Sequence, residues 1–305
     1  MLLEISNIGK IQKAAVEMRG ITVIAGNNNT GKSTYGKILY CMINAFYNVE
    51  NAIRKERALN IQGIIAHFPL RYSHLAMKKL INKIMDRRFS REEIRSLLKE
   101  AINNKIIIID GKTEDDTINT IVERIIRSYE VADEQIQKTI LTRFLRSEFE
   151  NEIVHVNHTE EPGIISLTIK GNILSVSIEN NECIYFSDNV GIACNALYID
   201  TPFILDELTF YSSIGGIAHR DYLLESLSKS FDGVNVIDEI LTKRQFQRVL
   251  SNIRNVAGGE FKQVKGDWMF QETGLNIPLG MFNVSAGMKP FLIIKRLLEA
   301  GEIKE

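Results

Sequence analysis

Eight consecutive residues, Gly26-Asn27-Asn28-Asn29-Thr30-Gly31-Lys32-Ser33, follow the pattern GxxxxGK[ST], in which each fixed position answers a demand of phosphate chemistry. The two glycines let the backbone turn without a Cβ clash, so successive main-chain N–H groups can converge on one anion at the positive end of the helix that follows. Lys32 is placed to reach β and γ oxygens, Ser33 to give its hydroxyl to Mg²⁺, and Thr34 to donate toward the α-phosphate from the first helical turn. The plainer reading is a Gly/Asn-rich turn that caps an ordinary helix.

A loop of this kind needs a strand before it and a helix after it. The run Ile21 to Ala25 predicts the strand, and Leu2 to Ile5 predicts a second strand of the same sheet. Tyr35, Ile38, Leu39, Met42, Ile43 and Phe46 have the spacing of an amphipathic helix. From about Asn48 to Asn151 the pattern is helical, with a strand signal only at Ile106 to Ile109. The two halves of that region differ in charge: Arg71 to Lys105 holds ten Lys/Arg against four Asp/Glu, and Glu114 to Glu152 holds five against ten, so the two surfaces can pair. Period-two stretches Ile164 to Ile169 and Ile173 to Ile178, joined through Lys170, Gly171 and Asn172, predict a hairpin, with Ile184 to Phe186 as a third strand. His219 to Val256 returns to helical spacing, Gly258 to Phe270 reads as another hairpin with Trp268 in a packing role, and Pro290 to Ala300 as the last helix. The expected fold class is α/β: a P-loop core sheet with an antiparallel β subdomain and a large helical insertion. Its divisions are 1–47, 48–152 and 153–305.

Composition narrows the function classes. With 305 residues, 45% of them apolar and 25% charged, the chain can bury a core and is not a disordered polymer. Lys and Arg number 37 against 38 Asp and Glu, net −1, so any basic surface is local. Cys41, Cys183 and Cys194 form no CxxC pair, which excludes a zinc knuckle and fits a reducing compartment. The absence of an apolar leader or of a long uncharged apolar window adds to the expectation of a cytoplasmic protein. Among His67, His74, His155, His158 and His219 there is one HxxH pair and no metal set, and no GxSxG or Cys/His arrangement marks a nucleophile. The basic stretch Arg71 to Lys105 reads either as solvated helical faces or as a contact for nucleic acid or an effector protein.

Leu2 to Asn7, followed by Gly20-Ile21-Thr22-Val23-Ile24-Ala25 and the asparagine-rich loop through Thr34, resembles the amino-terminal half of SMC-type, RecF-like and OLD-like ABC ATPases. Asn283-Val284-Ser285-Ala286-Gly287-Met288-Lys289 is similar to their signature motif, keeping the serine and one glycine. The resemblance implies binding of ATP with Mg²⁺ by Gly26 to Thr34. It also implies a homodimer of heads that sandwich ATP, with Ser285, Gly287 and Lys289 of one head facing the γ-phosphate held by another. It places such a head among proteins of DNA repair and phage defence.

In that family a Walker B strand follows the signature helix and supplies the magnesium-binding aspartate and the catalytic glutamate. This sequence stops at Glu305, about where that strand is expected, so the expectation is a truncated head that binds ATP and hydrolyses it only when completed, by further chain or by a second polypeptide. Two internal stretches imitate the missing strand. Phe203-Ile204-Leu205-Asp206-Glu207 has the form of an apolar run followed by two carboxylates, against which stand Pro202 and its position ahead of the signature; an ordinary buried turn or short helix is the plainer reading. Val236-Ile237-Asp238-Glu239 has helical spacing. With Asp206 and Glu207 as Walker B, the alternative is a self-contained P-loop kinase or nucleotide switch, although no NKxD base-reading motif is present. A third reading is a regulatory module that binds ATP without turnover.

Overall fold

The computed structural model describes the chain except residues 69, 87, 110–113, 151, 156, 158–159, 188–190, 209–216, 230–243 and 304–305. Arg87, His158 and the Val236 to Glu239 stretch therefore lie outside the described residues. The chain is mixed α/β and divides into two compact units. One comprises Met1–Thr34 and Cys41–Asn195, and the other Tyr35–Tyr40 and Ala196–Glu305.

In the first unit, β1 (Leu2–Ile8), β2 (Ile11–Glu17), β5 (Gly163–Ile169), β6 (Asn172–Glu179) and β7 (Glu182–Phe186) form one antiparallel sheet in the order β2-β1-β5-β6-β7. Alternation decides which face is buried. Leu3 and Ile5 of β1 stand opposite Leu167 and Ile165 of β5, which stand opposite Leu174 and Val176 of β6, and all are buried. The two-residue connection Lys170-Gly171, with φ of 50° and 86°, is the left-handed pair that a tight hairpin turn requires, which is why a glycine stands there. Two helices meet β7: the Phe46 ring at the end of α1 (Lys32–Phe46) lies edge-on to Phe186 at 5.4 Å, and the Thr142 hydroxyl of α6 (Asp133–Phe149) accepts the Cys183 N–H at 2.9 Å.

The helical region of this unit comprises α2 (Val49–Ala66), α3 (His74–Met85), α4 (Arg91–Asn103), α5 (Glu114–Glu130) and α6, with the short pair β3 (Leu70–Tyr72) and β4 (Ile107–Ile109). Ile61, Ile65, Ile84, Ile94, Leu98, Val122 and Ile125 form its own apolar core. A capping box starts α4: the Ser90 hydroxyl accepts the Glu93 N–H while the Glu93 carboxylate takes the Ser90 N–H.

Two sequence expectations are corrected here. Leu2 to Ile5 does not join a P-loop core sheet; it belongs to the antiparallel sheet, between β2 and β5. Ile21 to Ala25 forms no strand: the segment is irregular, with Ile21 96% and Val23 84% exposed. β-branched residues favour a pleated, half-buried surface, and no ladder partner among the described residues offers them one. Strand β2 gave almost no signal because it is a polar edge strand with one buried side chain, Ile11.

In the second unit, β8 (Gly259–Val264), β9 (Asp267–Glu272) and β10 (Leu279–Gly280) make a small antiparallel sheet, accompanied by α7 (Ile204–Glu207), α8 (Ala218–Ser228), α9 (Gln247–Val256) and α10 (Lys289–Glu299). Its core gathers Ile204, Leu205, Leu223, Leu227, Phe270, Leu292 and Leu297. Trp268 is buried there with the Arg296 guanidinium 4.6 Å above its ring. Pro290 stands in the first turn of α10, where its missing N–H costs nothing.

No disulfide joins the three cysteines, and they differ in access. Cys41 and Cys183 are buried, and burial pushes the Cys183 thiol up to about 11, whereas Cys194 is exposed. Native protein treated with a thiol-specific chromogenic reagent near pH 8 should give one fast equivalent, with the other two appearing only on denaturation. Two or more fast equivalents would contradict this packing.

Candidate functional site

The loop from Gly26 to Ser33 ends in α1, and its conformation follows from three local constraints. Gly31 sits at φ 90°, ψ 8° immediately before the helix, a left-handed conformation that side chains disfavour. A Cβ at Gly31 would also lie 2.8 Å from Ile11 Cγ1, so the start of β2 leaves no room for one. Asn29, also left-handed at φ 66°, is held from the β1–β2 turn: Lys10 Nζ donates to Asn29 Oδ1 at 2.8 Å. Thr30 Oγ1 closes the loop internally by donating to the Asn27 carbonyl at 2.9 Å.

The Lys32 ammonium folds back over the loop and donates to the Gly26 carbonyl at 2.9 Å and to the Asn27 carbonyl. No side chain caps α1, no acidic residue stands in its first turn, and Ser33 is exposed. The result is a cation held inside a turn of main chain, next to a helix start whose amides no side chain caps. That donor set fits phosphate oxygens. Thr34 lies beside the β1–β2 turn, where a Cβ on Gly9 would be 3.5 Å from its methyl. Lys10 is the residue that sequence reading missed; it lies outside the motif and is brought to the loop by the hairpin.

The signature-like residues divide. Ser285, Ala286 and Gly287 are exposed in the turn ahead of α10, and the Ser285 carbonyl accepts the Met288 N–H at 3.0 Å. Lys289, expected to face an anion on another head, is instead 2% exposed. Its ammonium is 2.6 and 2.8 Å from the two Asp206 carboxylate oxygens and 4.9 Å from the centre of the Phe203 ring. Burial fixes this choice, since an ammonium taken out of water needs a carboxylate partner.

Asp206 and Glu207 are corrected with it. They stand in the one-turn helix α7 and not at the end of a strand. Asp206 is committed to Lys289, and Glu207 lies 3.5 Å from Arg220. Arg220 also donates twice to Asp200, at 3.0 and 2.7 Å, and the His219 Nε2 is 3.5 Å from the same carboxylate. Burial alone would push the Asp200 carboxyl up, but Arg220 and then His219 hold it below the usual carboxylate range. This ion-pair group has no sequence signal, because Asp200 and its partners are separated by 19 or 20 residues with no motif between them.

Within the basic stretch Arg71 to Lys105, four cations are ion-paired, three of them with the acidic half of the region. Arg91 meets Glu123, Arg95 and Lys99 meet Asp115 at 3.1 and 2.9 Å, and Lys83 meets Glu100 at 3.4 Å. Lys99 and then Arg95 hold the Asp115 carboxyl below its ordinary value. Exposed pairs of this kind stabilise little. No described helix is long and apolar enough to cross a membrane.

No family model, curated protein or solved structure matches the chain. The loop geometry and the sequence motif therefore carry the reading of the site.

Removing one partner of the Lys289–Asp206 pair leaves the other buried alone. Lys289→Met should lower stability by about 3–5 kcal/mol, and adding Asp206→Asn should recover a large part of it. Denaturant midpoints measure both. Equal midpoints for wild type and Lys289→Met would mean that the pair is not formed.

Proposed function

We propose that Gly26 to Thr34 bind ATP with Mg²⁺, and that the protein is a nucleotide-binding head of the ABC type. The observation that carries the reading is the Lys32 ammonium held over the Gly26 and Asn27 carbonyls beside the uncapped start of α1. When a triphosphate binds, Lys32 exchanges those carbonyls for β and γ oxygens, the loop amides face the β-phosphate, and the Ser33 hydroxyl is a metal ligand. Lys10, already bonded to Asn29, adds a second ammonium at the loop rim. The P-loop core of the expected fold is part of this proposal, with Ile21 to Ala25 becoming a strand only when another strand pairs with it.

Association of two heads belongs to the same proposal, through the exposed Ser285 and Gly287. Phe282 and Phe291, also exposed, lie close to them in sequence and supply apolar surface for such a contact. By the resemblance, the work done by the assembled heads is DNA repair or phage defence. Asp206 is paired with Lys289 and Glu207 lies 3.5 Å from Arg220, so neither is favoured as the carboxylate that would serve hydrolysis. The same engagement weighs against the self-contained kinase or switch that would use them.

Calorimetric titration of ATP with Mg²⁺ should show binding that falls more than about tenfold in Lys32→Ala, the size expected when a charge-assisted contact is lost. Light scattering should show an ATP-dependent dimer in wild type and none in Ser285→Arg, with ATP affinity unchanged. Glu207→Gln should leave affinity and any turnover at wild-type values. Nucleotide trapped by Glu207→Gln would make Glu207 the catalytic carboxylate. Wild-type affinity in Lys32→Ala would remove the loop from the site.

A further inference from the structure

The helical region holds a cleft of about 450 Å³ where α2, α5 and α6 meet, within the size range of small-molecule sites. Four guanidinium groups surround it, those of Arg57, Arg124, Arg127 and Arg143, and its only acidic residue is Glu56. That carboxylate is taken up by Arg143 in a two-pronged pair at 2.7 and 3.0 Å. Arg57 is fixed by donating to the Ser128 and Val131 carbonyls at 2.7 and 2.6 Å and to Asp133 at 2.6 Å. Arg124 rests 5.2 Å from the centre of the Phe68 ring. Three of the four cations are thus positioned by other parts of the protein. The apolar lining includes Ile64 and Ile136, and no aromatic ring lines the cleft.

We propose that this cleft binds a small amphipathic anion, in which a phosphate or carboxylate group meets the arginine rim and an aliphatic body lies on the isoleucine floor. The charge balance selects the anion, since Glu56 and Asp133 offset Arg143 and Arg57 and leave an excess of two guanidinium groups at the cleft. Guanidinium forks match planar carboxylate and phosphate oxygens two at a time. Ile64, Val131 and Ile136 in the lining give an aliphatic body apolar surface to bury against. The site is separate from the phosphate-binding loop and stands whether or not that loop binds ATP.

The test is calorimetric titration of the full chain with decyl phosphate and decanoate, each below its micelle concentration, with decanol and inorganic phosphate as single-feature controls. The proposal predicts saturable binding of at least one amphiphile. The Arg124→Glu/Arg127→Glu double variant should weaken it more than about tenfold, and Ile136→Asp should weaken it comparably. Arg124 and Arg127 are exposed, so the double variant should retain the wild-type circular dichroism spectrum. Preference for decyl phosphate identifies a phosphate headgroup, and preference for decanoate a carboxylate. Lys32→Ala should bind the amphiphile as wild type does. The proposal is overturned if neither amphiphile binds, if the double variant binds equally well, if inorganic phosphate alone binds as tightly, if decanol alone binds as tightly, or if Lys32→Ala abolishes binding.

Discussion

The contact between Ile11 and Gly31 is the constraint from which the candidate site is built. Gly31 has to be left-handed for the chain to turn into α1, and it has to lack a Cβ because Ile11 is already there. Ile11 in turn is the one buried residue of β2, an edge strand held to the sheet only by its pairing with β1. The alternating apolar residues of β1, packed between β2 and β5, therefore fix where the loop can sit. The same hairpin delivers Lys10 to Asn29. The shape of the loop thus depends as much on a turn that precedes it in the chain as on its own residues.

Three further features of the chain follow one physical rule: buried or crowded charge is settled locally. Lys289 and Asp206 neutralise each other at the start of α10, just after the turn whose exposed residues are Ser285, Ala286 and Gly287. Asp200 takes Arg220 in the same way, at 2.7 Å. On the helical region, the basic face of α4 is spent on the acidic face of α5. The arginine rim between α2, α5 and α6 is less evenly matched, since its four guanidinium groups meet two carboxylates, Glu56 and Asp133.

Much of the arrangement was legible in the sequence where one local rule sufficed. The hairpin through Lys170-Gly171, the amphipathic stripe from Tyr35 to Phe46, the helical character of the middle of the chain and the pairing of its opposed charges all follow from spacing and turn chemistry. The failures came where the outcome depends on distant partners. Ile21 to Ala25 has the composition of a strand but no described neighbour to pair with, while polar β2 becomes a strand because β1 lies beside it. Asp206 and Glu207 imitated a Walker B because an apolar run followed by two carboxylates reads the same on a strand and on a buried helical turn. The residue that decides between them, Lys289, is 83 positions away. The arginine cleft was invisible for the same reason: Arg57 and the Asp133 that helps to fix it are 76 positions apart.

The most direct test of the central claim is amide hydrogen exchange across residues 21–40, measured with and without ATP and Mg²⁺. If Lys32 and the loop amides take up the triphosphate, exchange should slow from Gly26 through Thr34, and the same peptide should be unaffected by ATP in Lys32→Ala. ATP-dependent protection that leaves this peptide unchanged and appears elsewhere in the chain would contradict the account.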